Sequence, residues 1–473
     1  MIKRIRIKNF KAFRDTNDIE IKPITILMGI NSSGKSSIIQ ALLALRQTMV
    51  SRDTEVPLQV VGDYVDLGSY VDCVFNHKVA AKDETFLSFE FSIIPKHSLW
   101  YTASKYRLSA ELVKHLTKKV EYDDFHVATS FGYNKKARKI YLREFNLKDA
   151  ANTLIISVIT NAAGQVIQLK SDILTKLSDL KARHKSVLKS LKRSKFFYEF
   201  LPRFKYIGGR EEGVKDYAED RQLSAFISSC YDATQRDFSR VFYLGPLRRK
   251  TRRFSPITGE TPQDVGFEGE NALKLIYKDF KSSMKQKKNL VERVKSWLIK
   301  FDVASELSVV TFPGYQFALN IIDPHNKSIV NLSDVGFGVS QVLPLIVEGF
   351  YSPLDSMILI EQPEIHLHPA LQSHLGDLLI DISKEGKTIV VETHSEHLIL
   401  RLQRKIASGE LSKDDVAIYF VEPGGEGSSV KRITLNEYGQ FLNWPEGFFE
   451  EDIKERIEHL VQMDKKMNGI SDE

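Results

Sequence analysis

Cysteine is nearly absent: Cys73 and Cys230 are the only two in 473 residues, and they lie far apart in the chain. That excludes a disulfide framework and a cysteine-rich zinc site, and it fits a reducing compartment. Long apolar runs are missing as well. None approaches the ~18 residues of a membrane-spanning helix, and the opening stretch "MIKRIRIKNF" lacks the apolar core of a signal peptide. A cytoplasmic protein with no membrane contact is expected. Internal repeats and low-complexity tracts are also missing, which excludes a solenoid or a disordered scaffold. What remains is an ordinary globular composition, 42% hydrophobic and 27% charged, in a chain long enough for two or three domains. The net charge of +6 permits contact with nucleic acid without establishing it. Its distribution says more. Residues 171–210 hold eleven Lys or Arg against three acids, and "GPLRRKTRRF" (245–254) adds five more basic residues.

The first forty residues read as strand, turn, strand, loop and helix. "IKRIRIKNF" alternates apolar and polar positions, as a half-buried strand does, and "ITILMG" is a near-continuous apolar run suited to a central parallel strand. "SSIIQALLALRQTM" has helical spacing. From Val241 apolar strands and helical segments alternate again, through "VFYLGPLR", "SMILIEQPE", "KTIVVETHSEHLILRL" and "DDVAIYFVE". The expected fold is α/β, a mixed or parallel sheet split in sequence: 1–80 and 239–445 form one core, 81–238 is a basic α+β insert, and 446–473 is an acidic tail. Within the insert, "LSFEFSII" and "TLIISVIT" are candidate strands. Ile173, Leu177, Leu180, Val187 and Leu191 follow heptad-like spacing, which fits either a short helical arm or an amphipathic helix packed on its own domain.

"GINSSGKS" (29–36) satisfies G-x-x-x-x-G-K-[ST] in full and lies between an apolar strand and a helix, the context of a phosphate-binding P-loop. Gly29 and Gly34 permit the tight loop, whose N–H groups, with Asn31, Ser32, Ser33 and Ser37, cradle the phosphates. Lys35 is placed to reach the β- and γ-phosphates of ATP, and the Ser36 hydroxyl to ligate Mg²⁺. Glu361 ends the apolar run "MILI" and is the expected acid for the same Mg²⁺. His366, His368 and His397 invite a metal reading, but their spacing lacks the usual zinc arrangement.

Together, "NFKAF", "ITILMGINSSGKSS", "YLGPLR", "SDVGFGVSQVLP", "ILIEQPEIHLHP" and "VVETHSEHLILRL" resemble the ABC/SMC-like AAA ATPases related to the overcoming-lysogenization-defect (OLD) family. The resemblance covers roughly residues 1–80 and 240–445, with "WPEGFFEED" (444–452) like the C-terminal piece of stand-alone members. It implies an ABC-type ATPase head. "LSDVGFGVSQ" then falls at the signature, which binds the γ-phosphate of the nucleotide held by a second subunit, so Ser333, Gly336, Gly338 and Ser340 become candidates and a homo-oligomer of at least two heads is implied. The motif departs from Leu-Ser-Gly-Gly-Gln. His394 matches the histidine that senses the γ-phosphate, and "HLHP" the loop that touches the partner head.

At the position after Glu361, where such ATPases carry a glutamate as the presumed base, this chain has Gln362. An amide accepts no proton from the attacking water, which points to slow hydrolysis and a long-lived ATP-bound state. Glu364, two positions on and beyond Pro363, is the stand-in base, with His394 or the γ-phosphate itself as weaker candidates. Some relatives fuse the head to a Toprim nuclease domain, but too little chain follows His394 for one, and no clustered Asp-x-Asp motif appears. The resemblance therefore implies a sensor or switch acting on a separate effector, a nuclease or Toprim protein, like the ATPase component of two-gene antiphage systems of the Septu or PARIS type. The alternative is a RecF/SMC-like repair ATPase that contacts DNA or RNA directly through the basic insert.

Overall fold

The computed structural model describes residues 2–78 apart from 52, 54 and 55, then 86–93, 125–172, 197–198, 201–202, 230–283 apart from 261, 290–443, and residues 458 and 463. The 173–191 segment expected as a helical arm, nearly all of the basic stretch 171–210 and nearly all of the tail lie outside them.

Two large sheets organise the chain. The first is antiparallel and eight-stranded: β1 (Arg4–Phe10), β2 (Phe13–Asp15) and β3 (Ile19–Glu20) are followed by β5 (Leu87–Ile93), β6 (Phe125–Asn134), β7 (Lys139–Lys148), β8 (Leu154–Thr160) and β9 (Val166–Lys170). Its order is β2-β1-β5-β6-β7-β8-β9, with β3 also paired to β1. The first strand of the expected 81–238 insert, β5, pairs with β1 through Ile5↔Phe91 and Ile7↔Phe89, so the insert's strands continue the sheet begun by the N-terminus.

The second sheet has six strands in the order β12-β17-β18-β4-β19-β20: β4 (Ile24–Gly29), β12 (Val241–Leu244), β17 (Met357–Glu361), β18 (Thr388–Glu392), β19 (Val416–Glu422) and β20 (Ser429–Ile433). All neighbours are parallel except the edge pair β19–β20. Every residue of β4, β12, β17 and β18 is buried, as expected of parallel strands covered on both faces. Smaller pieces complete the fold. A two-residue pair joins β10 (Phe197–Tyr198) to β11 (Leu201–Pro202), and a four-stranded sheet combines β13 (Ser255–Pro256), β14 (Glu306–Phe312), β15 (Gln316–Ile322) and β16 (Ile329–Asn331).

Two apolar clusters flank the six-stranded sheet. One gathers α1 (Lys35–Val50) and the short α2 (Tyr70–Cys73) with the inner face of the antiparallel sheet, including Phe10, Phe89 and Phe131. Helix α1 is buried almost all round, Lys35, Arg46, Gln47 and Thr48 included, which suits its central place between two sheets. The other cluster packs α3 (Ala272–Ser283), α4 (Leu290–Lys300), α5 (Phe337–Tyr351), α6 (Pro369–Lys384) and α7 (Glu396–Ala407) on the opposite face. No helix among the described residues is long and apolar enough to cross a membrane.

Candidate nucleotide site

Strand β4 delivers the Gly-rich loop to the carboxyl edge of the parallel sheet, and α1 leaves from it. Gly29 has φ +142°, and a Cβ there would lie 2.2 Å from the Val421 carbonyl oxygen on β19, so only glycine lets the two strands meet. Gly34, at φ +104°, caps α1 and presses against Ala12 and Phe13 from the β1–β2 turn. Lys35 is buried and folds back over its own loop, with Nζ donating to the carbonyls of Gly29 (3.0 Å) and Ile30 (2.7 Å). Burial lowers its pKa, and nearby Glu392 opposes that shift. Asn31 and Ser32 are exposed at the loop tip, Ser33 is buried with its hydroxyl unpartnered, and the Ser37 N–H donates to the Gly34 carbonyl at 3.0 Å.

A cleft of about 660 Å³ opens over this loop. Its walls include Lys11, Asn31, Ser32, Gly34, Lys35, Ser36, Ser37, Gln362, Glu392 and His394. The volume falls in the range of ligand pockets, ~300–1,000 Å³, and its cationic, N–H-rich floor fits a polyphosphate.

The carboxyl ends of β17 and β18 bring two acids side by side, because the parallel register pairs Glu361 with Glu392. They do different things. The Ser36 hydroxyl donates to Glu392 Oε2 at 2.7 Å. Glu361 Oε1 instead accepts the phenol of Tyr243 on β12 at 2.8 Å, and its main-chain oxygen accepts from Arg248 Nη2 at 3.0 Å. Glu361 does not line the cleft. Burial pushes its carboxyl up to about 7, against the pull of the Tyr243 hydrogen bond, and burial raises Glu392 too.

Gln362 sits in the left-handed region, φ +44°, donates its N–H to the Glu392 carbonyl at 2.7 Å and lines the cleft. Glu364 lies behind it, buried, with Oε1 accepting the His394 N–H at 2.6 Å and Oε2 unpartnered. It positions the His394 backbone rather than facing the cleft. The His394 ring has an unpartnered Nε2 and a pKa lowered by burial and by Lys35, so it stays neutral at physiological pH. Ser395 caps α7 by accepting the Leu398 N–H, which fixes the turn that carries His394.

The signature candidates stand apart from this cleft. Gly336 is exposed at the N-cap of α5, while Ser333 and Gly338 are half-buried beside it. Ser340, expected to reach a second subunit's nucleotide, is 4% exposed, and its hydroxyl meets Thr251 N and Oγ1 at 3.2 and 3.1 Å. One turn into the helix, it lies under the 245–254 loop, so Ser333 and Gly336 are the groups presented outward. Within that loop the arginines divide. Arg249 and Arg253 pair with Glu268 and Asp334 at the surface, whereas Arg248 is buried behind Glu361 and Glu364 with Nε and Nη1 unpartnered. The three candidate metal histidines do not converge: His366 is exposed, His368 caps α6, accepting from Ala370 N at 3.3 Å ahead of Pro369 at N1, and His397 is exposed on α7. Among the described residues no cluster of three or more His, Cys, Asp or Glu forms a metal cage.

Glu392, Tyr243 and Arg248 were not singled out individually from sequence. Glu392 carried a readable signal, since it ends the apolar run "TIVV" as Glu361 ends "MILI". Tyr243 and Arg248 carried none, because only the β12–β17 pairing brings them to Glu361.

A Gly-rich loop between a buried parallel strand and a helix, with a lysine over the loop and strand-end acids beside it, defines a P-loop nucleotide-binding ATPase. The chain belongs to the family described as AAA ATPase domain, which matches residues 1–399. Residues 411–456 match a second family, described as a protein of unknown function (DUF3696). No curated protein matches. Among solved structures, the chain is similar to an SMC head bound to the C-winged helix domain of ScpA, at 12% identity over 92% of this chain and 98% of that one, with a TM-score of 0.43. It is also similar to the SMC head domain from Thermotoga maritima (12% identity, 92% and 99% covered, TM-score 0.40). A third likeness is to the SMC head domain with an extended coiled coil, bound to the C-terminal domain of ScpA derived from Pyrococcus furiosus (12% identity, 98% and 99% covered, TM-score 0.41).

Proposed function

We propose that the chain binds ATP with Mg²⁺ over the Gly29–Ser37 loop, hydrolyses it slowly, and acts as a dimerising switch for a separate effector. The observation that supports this reading is the cleft itself: the Gly-rich loop, Lys35 and His394 line it, and the wall position expected of a base is the Gln362 amide. Lys35 would exchange the Gly29 and Ile30 carbonyls for the terminal phosphates. Ser36 and the strand-end acids Glu361 and Glu392 are the protein oxygens available to Mg²⁺, which when bound supplies charge neutralisation at the β- and γ-phosphates. The Gln362 side chain can orient the attacking water by hydrogen bonding but cannot take its proton.

Separation of Ser333 and Gly336 from the chain's own cleft supports a site completed by a second copy, as in ABC-type heads. The OLD-like motifs support an antiphage role in which an external trigger changes the ATP-bound state and releases a nuclease or Toprim partner. Lys35→Ala should abolish ATP binding measured by calorimetry; unchanged affinity in that variant sinks the reading. Gly336→Arg, where a Cβ meets open space, should keep single-head ATP binding and lose ATP-induced dimerisation measured by light scattering. A parent protein that stays monomeric at saturating ATP removes the switch.

A further inference from the structure

We infer that the pocket under the basic 245–254 loop is a phosphate-binding site for single-stranded nucleic acid, with Phe254 beside it as a stacking surface for a base. The inference goes beyond the ATP reading of the cleft and stands or falls without it.

Charge is the first support. Of the five basic residues in that loop, Arg248 is buried behind Glu361, and Arg249 and Arg253 are paired with Glu268 and Asp334. The other two, Lys250 and Arg252, are exposed and make no ion pair among the described residues. Both line a pocket separate from the nucleotide cleft, together with half-buried Lys274 of α3, which likewise makes none. Glu270 is the one acid in that wall among the described residues, and its carboxylate already accepts the Glu268 N–H at 3.0 Å. Three cations against one acid leave the concavity positive, and an anion seated between them relieves their mutual repulsion. The hydroxyls of Thr251 and Ser340, 3.1 Å apart, lie in the same wall and add hydrogen-bonding capacity.

Size is the second support. The pocket holds about 140 Å³. That is about four or five water volumes of ~30 Å³ each, enough for one phosphate group and below the ~300 Å³ at which small-ligand sites begin. A whole nucleotide does not fit, whereas one phosphate of a strand that runs on over the surface does. The neighbourhood is the third. Phe254 directly precedes Ser255, which lines the pocket. Its exposed ring stands edge-on to that of Phe312, also exposed, with centroids 5.2 Å apart. Exposed Tyr315 is brought alongside because Ile257 N donates to its carbonyl at 2.7 Å. Aromatic rings in solvent beside a cationic groove suit a single strand, since unpaired bases can stack on them and a duplex keeps its bases inside.

The test uses the full-length protein without nucleotide and a fluorescein-labelled oligothymidylate of about 20 nucleotides, longer than the ~4–16 that a single-strand module covers. Fluorescence anisotropy over a salt series reads affinity and its salt slope. Lys250→Ala combined with Arg252→Ala should weaken binding at least about tenfold and flatten the slope by roughly 0.7–1.4, since each single-strand phosphate contact contributes ~0.7. Phe254→Ala should weaken binding about fivefold or more and leave the slope unchanged, because stacking releases no counterion. A matched oligouridylate tells DNA from RNA as the source of the phosphate. Thermal melts check that each variant folds, and Lys250→Ala alone reports on the pocket should the double variant fail to fold. Full affinity in the double variant, which would place binding on the basic 171–210 stretch, overturns the site, as does a parent that binds neither oligonucleotide. A duplex bound more tightly than the single strand, with Phe254→Ala silent, overturns the single-strand assignment. Each of these outcomes leaves the ATP reading of the cleft as it stands.

Discussion

Strands β17 and β18 are buried at every residue, whereas β5 opens with alternating Leu87, Ser88, Phe89 and Glu90, buried and half-buried in turn. The inner strands β4, β12, β17 and β18 are covered on both faces, and the polar groups of the site are gathered at their carboxyl ends. Gly29, Glu361 and Glu392 all sit there. The antiparallel sheet spends its polar residues along one whole face instead. A second concavity of about 820 Å³ lies on that face, walled by mixed charges such as Lys8, Glu90, Arg143 and Glu144. One sheet concentrates chemistry at an edge; the other supports α1 from below and spreads its charges over solvent.

That division makes the effects of substitution separable. The largest belongs to the antiparallel core: Phe89, fully buried and edge-on to Phe10, should cost about 3–5 kcal/mol as Phe89→Ala. Denaturant unfolding should show that loss while the folded fraction keeps its ATP affinity; a parallel fall in affinity would merge the two regions. At the carboxyl edge the pattern should invert. Gln362→Glu adds a proton acceptor to the cleft wall and, since a general base contributes ~10²–10⁴-fold, should raise phosphate release by about tenfold or more with little change in melting temperature. Unaltered turnover places the base elsewhere. The smallest effect belongs to the outer face of the antiparallel sheet. Lys8 and Glu90 pair at 2.5 Å in partial exposure, so Lys8→Ala should cost less than about 1 kcal/mol and leave ATP binding untouched.

Much of this was legible without coordinates. Burial on both faces writes itself as an unbroken apolar run, so β4, β17 and β18 could be read directly, and the alternation in β1 marked a half-buried strand. The P-loop was equally plain, because a loop that wraps phosphates needs glycines at fixed offsets before Lys35 and Ser36. Strands β6 and β7 were harder. Each runs ten residues with mixed polarity, and although the two form a local hairpin closed at Asn134 and Lys139, its register shifts between Ser130 and Phe131. The junction of the expected insert shows a limit of local reading, for nothing local to Leu87–Ile93 says that its neighbour is β1.

The amino-acid order alone determined that this protein carries a complete P-loop motif, an acid at the end of a buried strand, and an amide at the position after it, because each is a local pattern of residue type and spacing. Only the tertiary structure decided which acid meets Ser36. Two apolar runs ending in glutamate look alike in sequence, and strand order placed β18, with Glu392, between β17 and the P-loop. It also buried Ser340 beneath Thr251 and withdrew Arg248 from its four basic neighbours. Which side chains touch across hundreds of residues depends on sheet order and register, and those follow from the burial of whole faces rather than from any local motif.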